Sequence, residues 1–130
     1  MTDNMPIKNL VIPCSGTGKA LASVSRETCW YALFYASARF ETICLSLIML
    51  GDEEALKRIR GNSCITLDGC HHQCAKTIVE QAGGKIIKAY RVTEFLKEHK
   101  DWKPKTILHI GAGGQKLCQL IARELVEKIK

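Results

Sequence analysis

The segment Cys64-Ile65-Thr66-Leu67-Asp68-Gly69-Cys70-His71-His72-Gln73-Cys74-Ala75-Lys76 decides how the chain is read. Its opening residues form a short apolar run broken at Asp68 and Gly69, the pattern of a buried strand that ends in a turn. Beyond the turn, Ala75, Ile78, Val79 and Ala82 recur at helical spacing, and Gly83 and Gly84 stop the helix. Lys85 to Val92 reads as the next strand. Two strands joined by a helix of this length form a crossover unit, which makes them parallel and the connection right-handed.

The same alternation continues outward on both sides. Asn9 to Pro13 reads as the first strand, broken by Cys14, Ser15, Gly16, Thr17 and Gly18. A helix follows from about Lys19 to Ser37 and carries Trp30, Tyr31, Phe34 and Tyr35. These aromatics cover more than one helix face, which makes this helix a candidate homodimer interface as well as a packed element. Phe40 to Leu45 reads as the second strand, Asp52 as the N-cap and Gly61 as the stop of a helix with Ala55, Leu56 and Ile59 turned inward. After the fourth strand, Thr93 caps a short helix and Thr106 to Ile110 reads as a fifth strand. Gln115 to Ile129 is the last helix, with Leu117, Cys118, Ile121, Leu125 and Ile129 on one stripe. The expected fold is a single α/β domain over residues 1–130. It is a three-layer sandwich, Rossmann-like or flavodoxin-like, around a mainly parallel, roughly five-stranded sheet.

Composition narrows the function. With 130 residues, 46% hydrophobic and 25% charged, the chain has the make-up of an ordinary globular domain. Its longest apolar stretch, Thr42 to Leu50, is about half of the ~20 residues that span a bilayer. The apolar segment Leu10 to Pro13 is too short for a secretory signal, so a cytoplasmic protein without a membrane segment is expected. The formal charge is +6, but the basic residues never form a run of five, which argues against a nucleic-acid arm. Seven cysteines are an odd number, and without an export signal they point to metal binding or thiol chemistry rather than to a disulfide scaffold.

In open parallel sheets, sites lie beyond the C-terminal ends of the strands. Cys14 follows the first strand, Cys44 lies near the end of the second, and Cys70 and Cys74 follow the third. Residues four apart on a helix lie on one face, roughly 5–6 Å apart at Cβ, close enough for two sulfurs to share one metal. Four thiolates would suit zinc or an iron–sulfur cluster and leave a zinc site with a local charge of about −2. Helix N-termini after Cys14 and Cys70 would oppose that charge, with Lys19 and Lys76 as compensating cations. Ser15, Gly16 and Lys19 lie in a strand-to-helix turn that could cradle an anion, and Gly111 to Gly114 repeats the pattern. Asp68 is expected to hydrogen-bond the cysteine loop or cap the following helix. His71 or His72 could replace one sulfur as an imidazole ligand, and so could Cys64. Otherwise Cys29, Cys64 and Cys118 read as core, as does His109.

Cys14, Ser15, Gly16, Thr17, Gly18 and Lys19, then Cys44 with Leu45, and above all Asp68-Gly69-Cys70 followed by Cys74 and Ala75, resemble the DGC-domain family of small zinc-binding proteins. The resemblance extends from about Leu10 to Gly83 and rests on several cysteine positions agreeing together. It implies a zinc site made of Cys14, Cys44, Cys70 and Cys74.

Two functional classes stay open. In one, zinc in a closed four-cysteine shell is structural, sensed or delivered, and an iron–sulfur cluster is the variant within this class. In the other, Cys70 or Cys14 attacks a disulfide or carries a persulfide, and Cys74 resolves the product.

Overall fold

The computed structural model describes residues 8–14, 19–69 and 72–129. Strands β1 (Asn9–Pro13), β2 (Phe40–Thr42), β3 (Ser63–Asp68) and β4 (Lys85–Arg91) form one parallel sheet in the order β2-β1-β3-β4. The chain turns to one side of β1 to place β2 and to the other to place β3, so the order reverses at β1. The crevice outside the carboxyl ends of the strands at such a reversal is where ligands of open α/β sheets bind.

Successive strand residues point to opposite sides of the sheet, and the buried residues fall into two clusters in which strands meet helices. Leu10, Ile12 and Cys64 join a buried cluster with Ile48 of α2 (Leu45–Leu50), Ala55 and Ile59 of α3 (Glu53–Gly61) and Val79 of α4 (Cys74–Gln81). Val11, Ile65 and Leu67 enter the other cluster. Its helical partners include Val24 and Ala32 of α1 (Ala20–Tyr35), Val92 of α5 (Val92–Glu98) and Leu117, Ile121 and Leu125 of α6 (Gly111–Lys128). Burial of β1 on both faces explains why its sequence is continuously apolar rather than alternating.

Asp52 caps α3 as its sequence suggests, its carboxylate accepting from the Ala55 N–H at 3.0 Å. The second strand ends at Thr42, three residues short of the expected Leu45, which instead opens the short helix α2. Gly51, at φ 76°, closes α2 in the left-handed conformation that glycine tolerates. At the sheet edge, Cys64 pairs with Ile86 and Ile65 with Lys88, so Ile87 is an extra residue on β4 at a register shift.

The fifth strand is not formed, and the described sheet has four strands. Thr106–Ile110 closes on itself: the Thr106 N–H donates to the His109 carbonyl, the His109 N–H to Thr106 Oγ1, and the Lys105 N–H to the Ile110 carbonyl. Backbone groups used in this turn are not available to a ladder beside β4. Five apolar-rich residues do not by themselves separate a strand from an apolar turn. Only Ile110 of the segment is buried, and His109 is exposed instead of lying in the core.

The last helix starts four residues before Gln115, and the glycine run belongs to its first turn. A Cβ on Gly114 would come within 2.5 Å of Ile110 Cβ, and one on Gly113 within 2.7 Å of the Trp102 backbone. Close packing therefore accounts for both glycines without a bound phosphate.

Candidate functional site

Three of the four cysteines proposed as ligands fall among the described residues, at the carboxyl ends of the strands. Cys14 directly follows β1, Cys44 is the N-cap of α2 two residues after β2, and Cys74 opens α4. Cys70, Ser15, Gly16 and His71 lie outside the described residues.

The Cys14 sulfur is buried where β1, β3 and α1 meet. It accepts the Gly69 N–H at 3.4 Å and lies 3.1 Å from Ser25 Oγ. The Ser25 hydroxyl donates to the Ala22 carbonyl at 2.8 Å, so the Cys14 S–H is the donor to Ser25. This relay ties the end of β3 to the second turn of α1. On a thiolate at Cys14, the Ser25 hydroxyl would be free to turn and donate to sulfur instead.

Each described residue of the Asp68-Gly69 pair has a distinct physical task. The Asp68 carboxylate accepts the Ala75 N–H at 2.8 Å and the Lys76 N–H at 3.2 Å. It thereby caps α4 from the end of β3, in place of Gln73, whose side chain makes no cap bond. Burial raises the Asp68 pKa, opposed by these two N–H groups and by the Lys76 charge. Gly69 passes against the first turn of α1: a Cβ there would lie 2.5 Å from the Leu21 carbonyl carbon and 2.7 Å from the Ala22 nitrogen. No other residue fits without moving backbone.

Cys44 is exposed, and its thiol pKa is lowered chiefly by the backbone N–H groups of Ser46 and Leu47 at the start of α2. Cys14 and Cys44 line one cavity of about 440 Å³, together with Arg26, Cys29 and Trp30 of α1. Arg26 was not singled out in the sequence. Its only signal there is its place seven residues after Lys19 on the first helix, and the fold brings it to the wall of the cysteine cavity. Lys76 faces Asp68, and Lys19 is the exposed N-cap residue of α1.

The remaining described cysteines are buried in the core. Cys64 sits near the start of β3, at the opposite end of the strand from Asp68, and donates to the Ile59 carbonyl at 3.4 Å. Its position excludes it from the strand-end group. Cys118 donates to the Val24 carbonyl at 3.4 Å, and burial pushes its thiol up to about 12; burial likewise pushes Cys29 up to about 11. Among the described residues, no three His, Cys, Asp or Glu side chains gather closely enough to hold a metal ion. None of the described helices is long and apolar enough to cross a membrane.

A parallel α/β sheet with thiols at its carboxyl edge and an Asp-Gly pair joining β3 to α4 defines the class of the molecule. The DGC-domain model matches residues 10–112, and the chain belongs to that family. The match continues past α4 through β4, α5 and the turn that replaces the expected fifth strand. No curated protein and no solved structure matches the chain.

Proposed function

We propose that the chain is a metal-binding module that holds zinc through Cys14, Cys44, Cys70 and Cys74, in a structural, sensing or delivery role. The observation that carries this reading is the shared cavity: Cys14 and Cys44 come from different strand ends and line the same space. Membership of the DGC-domain family favours metal binding in general. The donor chemistry fits a thiophilic ion, because this edge offers sulfur and the backbone N–H groups of Ser46 and Leu47 lower the Cys44 pKa. The described thiols do not form a closed shell alone, so the reading assigns Cys70 to complete it. Zinc would supply a fixed positive centre that draws the strand ends together. An iron–sulfur cluster is the alternative occupant of the same sulfurs. With this goes a flavodoxin-like three-layer architecture, supported by the order β2-β1-β3-β4 and by the two core clusters.

Elemental analysis of protein purified without chelator tests the site. The expected result is about one zinc per chain, lost in Cys70→Ser and Cys74→Ser and kept in Cys118→Ser. Full zinc retention in a Cys14→Ser, Cys70→Ser double variant would overturn the assignment, and iron with a brown colour would replace zinc by a cluster.

The exposed Cys44 with its lowered pKa favours a second reading, in which these thiols exchange disulfides or carry a persulfide. That reading expects a metal-free chain with one thiol alkylated well ahead of the others at neutral pH.

A further inference from the structure

A second cavity, of about 410 Å³, lies between α1 and the start of α6 and has no part in the cysteine site apart from sharing Trp30 on its wall. It is lined by Glu27, Trp30, Tyr31 and Phe34 of α1 and by Gln115 of α6. The four α1 residues recur at intervals of three, one and three, which gathers them on one helix face. The opposite face, with Val24, Thr28, Cys29 and Ala32, is buried in the fold. Trp30 is 62% exposed and Phe34 84% exposed, so core packing does not account for two large rings at these positions.

Polar side chains of the cavity are fixed by a directed network. The Tyr31 hydroxyl donates to Gln115 Oε1 at 2.5 Å, and Gln115 Nε2 donates to Glu27 Oε2 at 3.0 Å. This bridge between the two helices holds the Glu27 carboxylate beside the aromatic wall. The lining contains a carboxylate and three aromatic rings but no lysine or arginine. Aromatic faces are electron-rich and attract a cation that has shed part of its water, and a carboxylate adds a full counter-charge. A second copy of this chain docked on the same face would bury Glu27 with no cation from this lining to pair it, which is costly. A small cationic ligand brings the missing charge with it. The volume falls within the roughly 300–1,000 Å³ typical of small-molecule sites.

We propose that this groove binds a small organic cation of the quaternary or alkylated ammonium class, held by the faces of Trp30, Tyr31 and Phe34 and by the Glu27 carboxylate. The site is independent of the metal reading and survives its failure.

Choline chloride is the probe, and its neutral carbon isostere 3,3-dimethylbutan-1-ol is the control, titrated at constant ionic strength into the full chain. Binding is followed by ¹H–¹⁵N NMR at the Trp30 indole and the amides of residues 27–34 and 115. The expected result is a saturable shift confined to these signals with choline, and affinity for the isostere weaker by about tenfold. Glu27→Gln should weaken choline by about three- to tenfold, and Trp30→Leu should abolish the saturable shift. Both side chains lie outside the core clusters, and unchanged spectra elsewhere confirm that the variants fold. Equal binding of the isostere, no saturable shift with choline, or unchanged affinity in Glu27→Gln would overturn the proposal. So would sedimentation showing a dimer that Trp30→Leu and Phe34→Ala dissociate and choline leaves intact.

Discussion

The cysteines of the core and those of the strand-end edge share a side chain and differ in what the fold sets beside the sulfur. Cys29, Cys64 and Cys118 are buried with their sulfurs against backbone carbonyls, and burial raises the pKa of all three. Such thiols act as small apolar residues with one weak donor. At the edge, Cys44 and Cys74 are exposed at helix starts, and the buried Cys14 accepts a backbone N–H from Gly69. Burial favours the protonated form of the core thiols, whereas the N–H groups of Ser46 and Leu47 lower the pKa of Cys44. Strand β3 touches both groups, since Cys64 lies near its start and the Gly69 N–H that meets Cys14 directly follows its end.

Alkylation of the metal-free native chain gives the widest expected separation between the groups. Cys44 and Cys74 should react at least on the order of a hundredfold faster than Cys64 and Cys118, whose access needs the core to open. Mass-spectrometric labelling kinetics measure this ratio, and comparable rates would remove the distinction. Gly69→Ala attacks the junction between edge and core. Its methyl group must displace the backbone of α1 at Leu21 and Ala22, so a loss of about 2–3 kcal/mol is expected in urea unfolding.

Smaller effects sharpen the contrast. Cys118→Ala should cost about 1–2 kcal/mol through lost packing, whereas Cys74→Ala in the metal-free chain should stay within about 0.5 kcal/mol. Asp68→Ala removes the cap bonds to Ala75 and Lys76 and should cost about 1 kcal/mol, read by the same unfolding.

The core thiols also predict a mild alkaline lability. Unfolded thiols ionise near pH 9.0, while folded Cys29 and Cys118 hold their protons up to about 11 and about 12. Their contribution to stability is fully present below pH 9 and is lost as pH rises through these values. Cys118→Ala should therefore flatten the fall in urea midpoint above pH 9, and an unchanged slope would show that Cys118 does not contribute.

Legibility in the sequence followed the range of the interaction. Buried strands β1 and β3, the Asp52 cap and the helix after Gly69 are set by local patterns and were readable to within a residue or two. The run from Thr42 to Leu50 was not, because continuous apolarity has no period that separates a strand end from the short helix α2. Thr106 to Ile110 misled for the same reason, and only its internal hydrogen bonds and the 2.7 Å bond from Ser23 Oγ to the Ile107 carbonyl distinguish the turn. At the site, the assignment of Cys29, Cys64 and Cys118 to the core was legible from apolar neighbours. The part of Arg26 was not, because it depends on which helix lies beside the β1 end.

By itself, the sequence determined the parallel α/β class and the placement of cysteines just after the strands, since periodicity and crossover length are properties of neighbouring residues, and its Asp68-Gly69-Cys70 motif with the cysteine positions carried the resemblance to the DGC-domain family. The tertiary structure alone decided the four-strand sheet, the Cys14 relay through Gly69 and Ser25, the close pass of Gly69 against α1, and the cavity shared by Cys14 and Cys44. Each of these joins residues far apart in the chain, and such contacts are fixed by packing and by satisfying buried polar groups rather than by local preference.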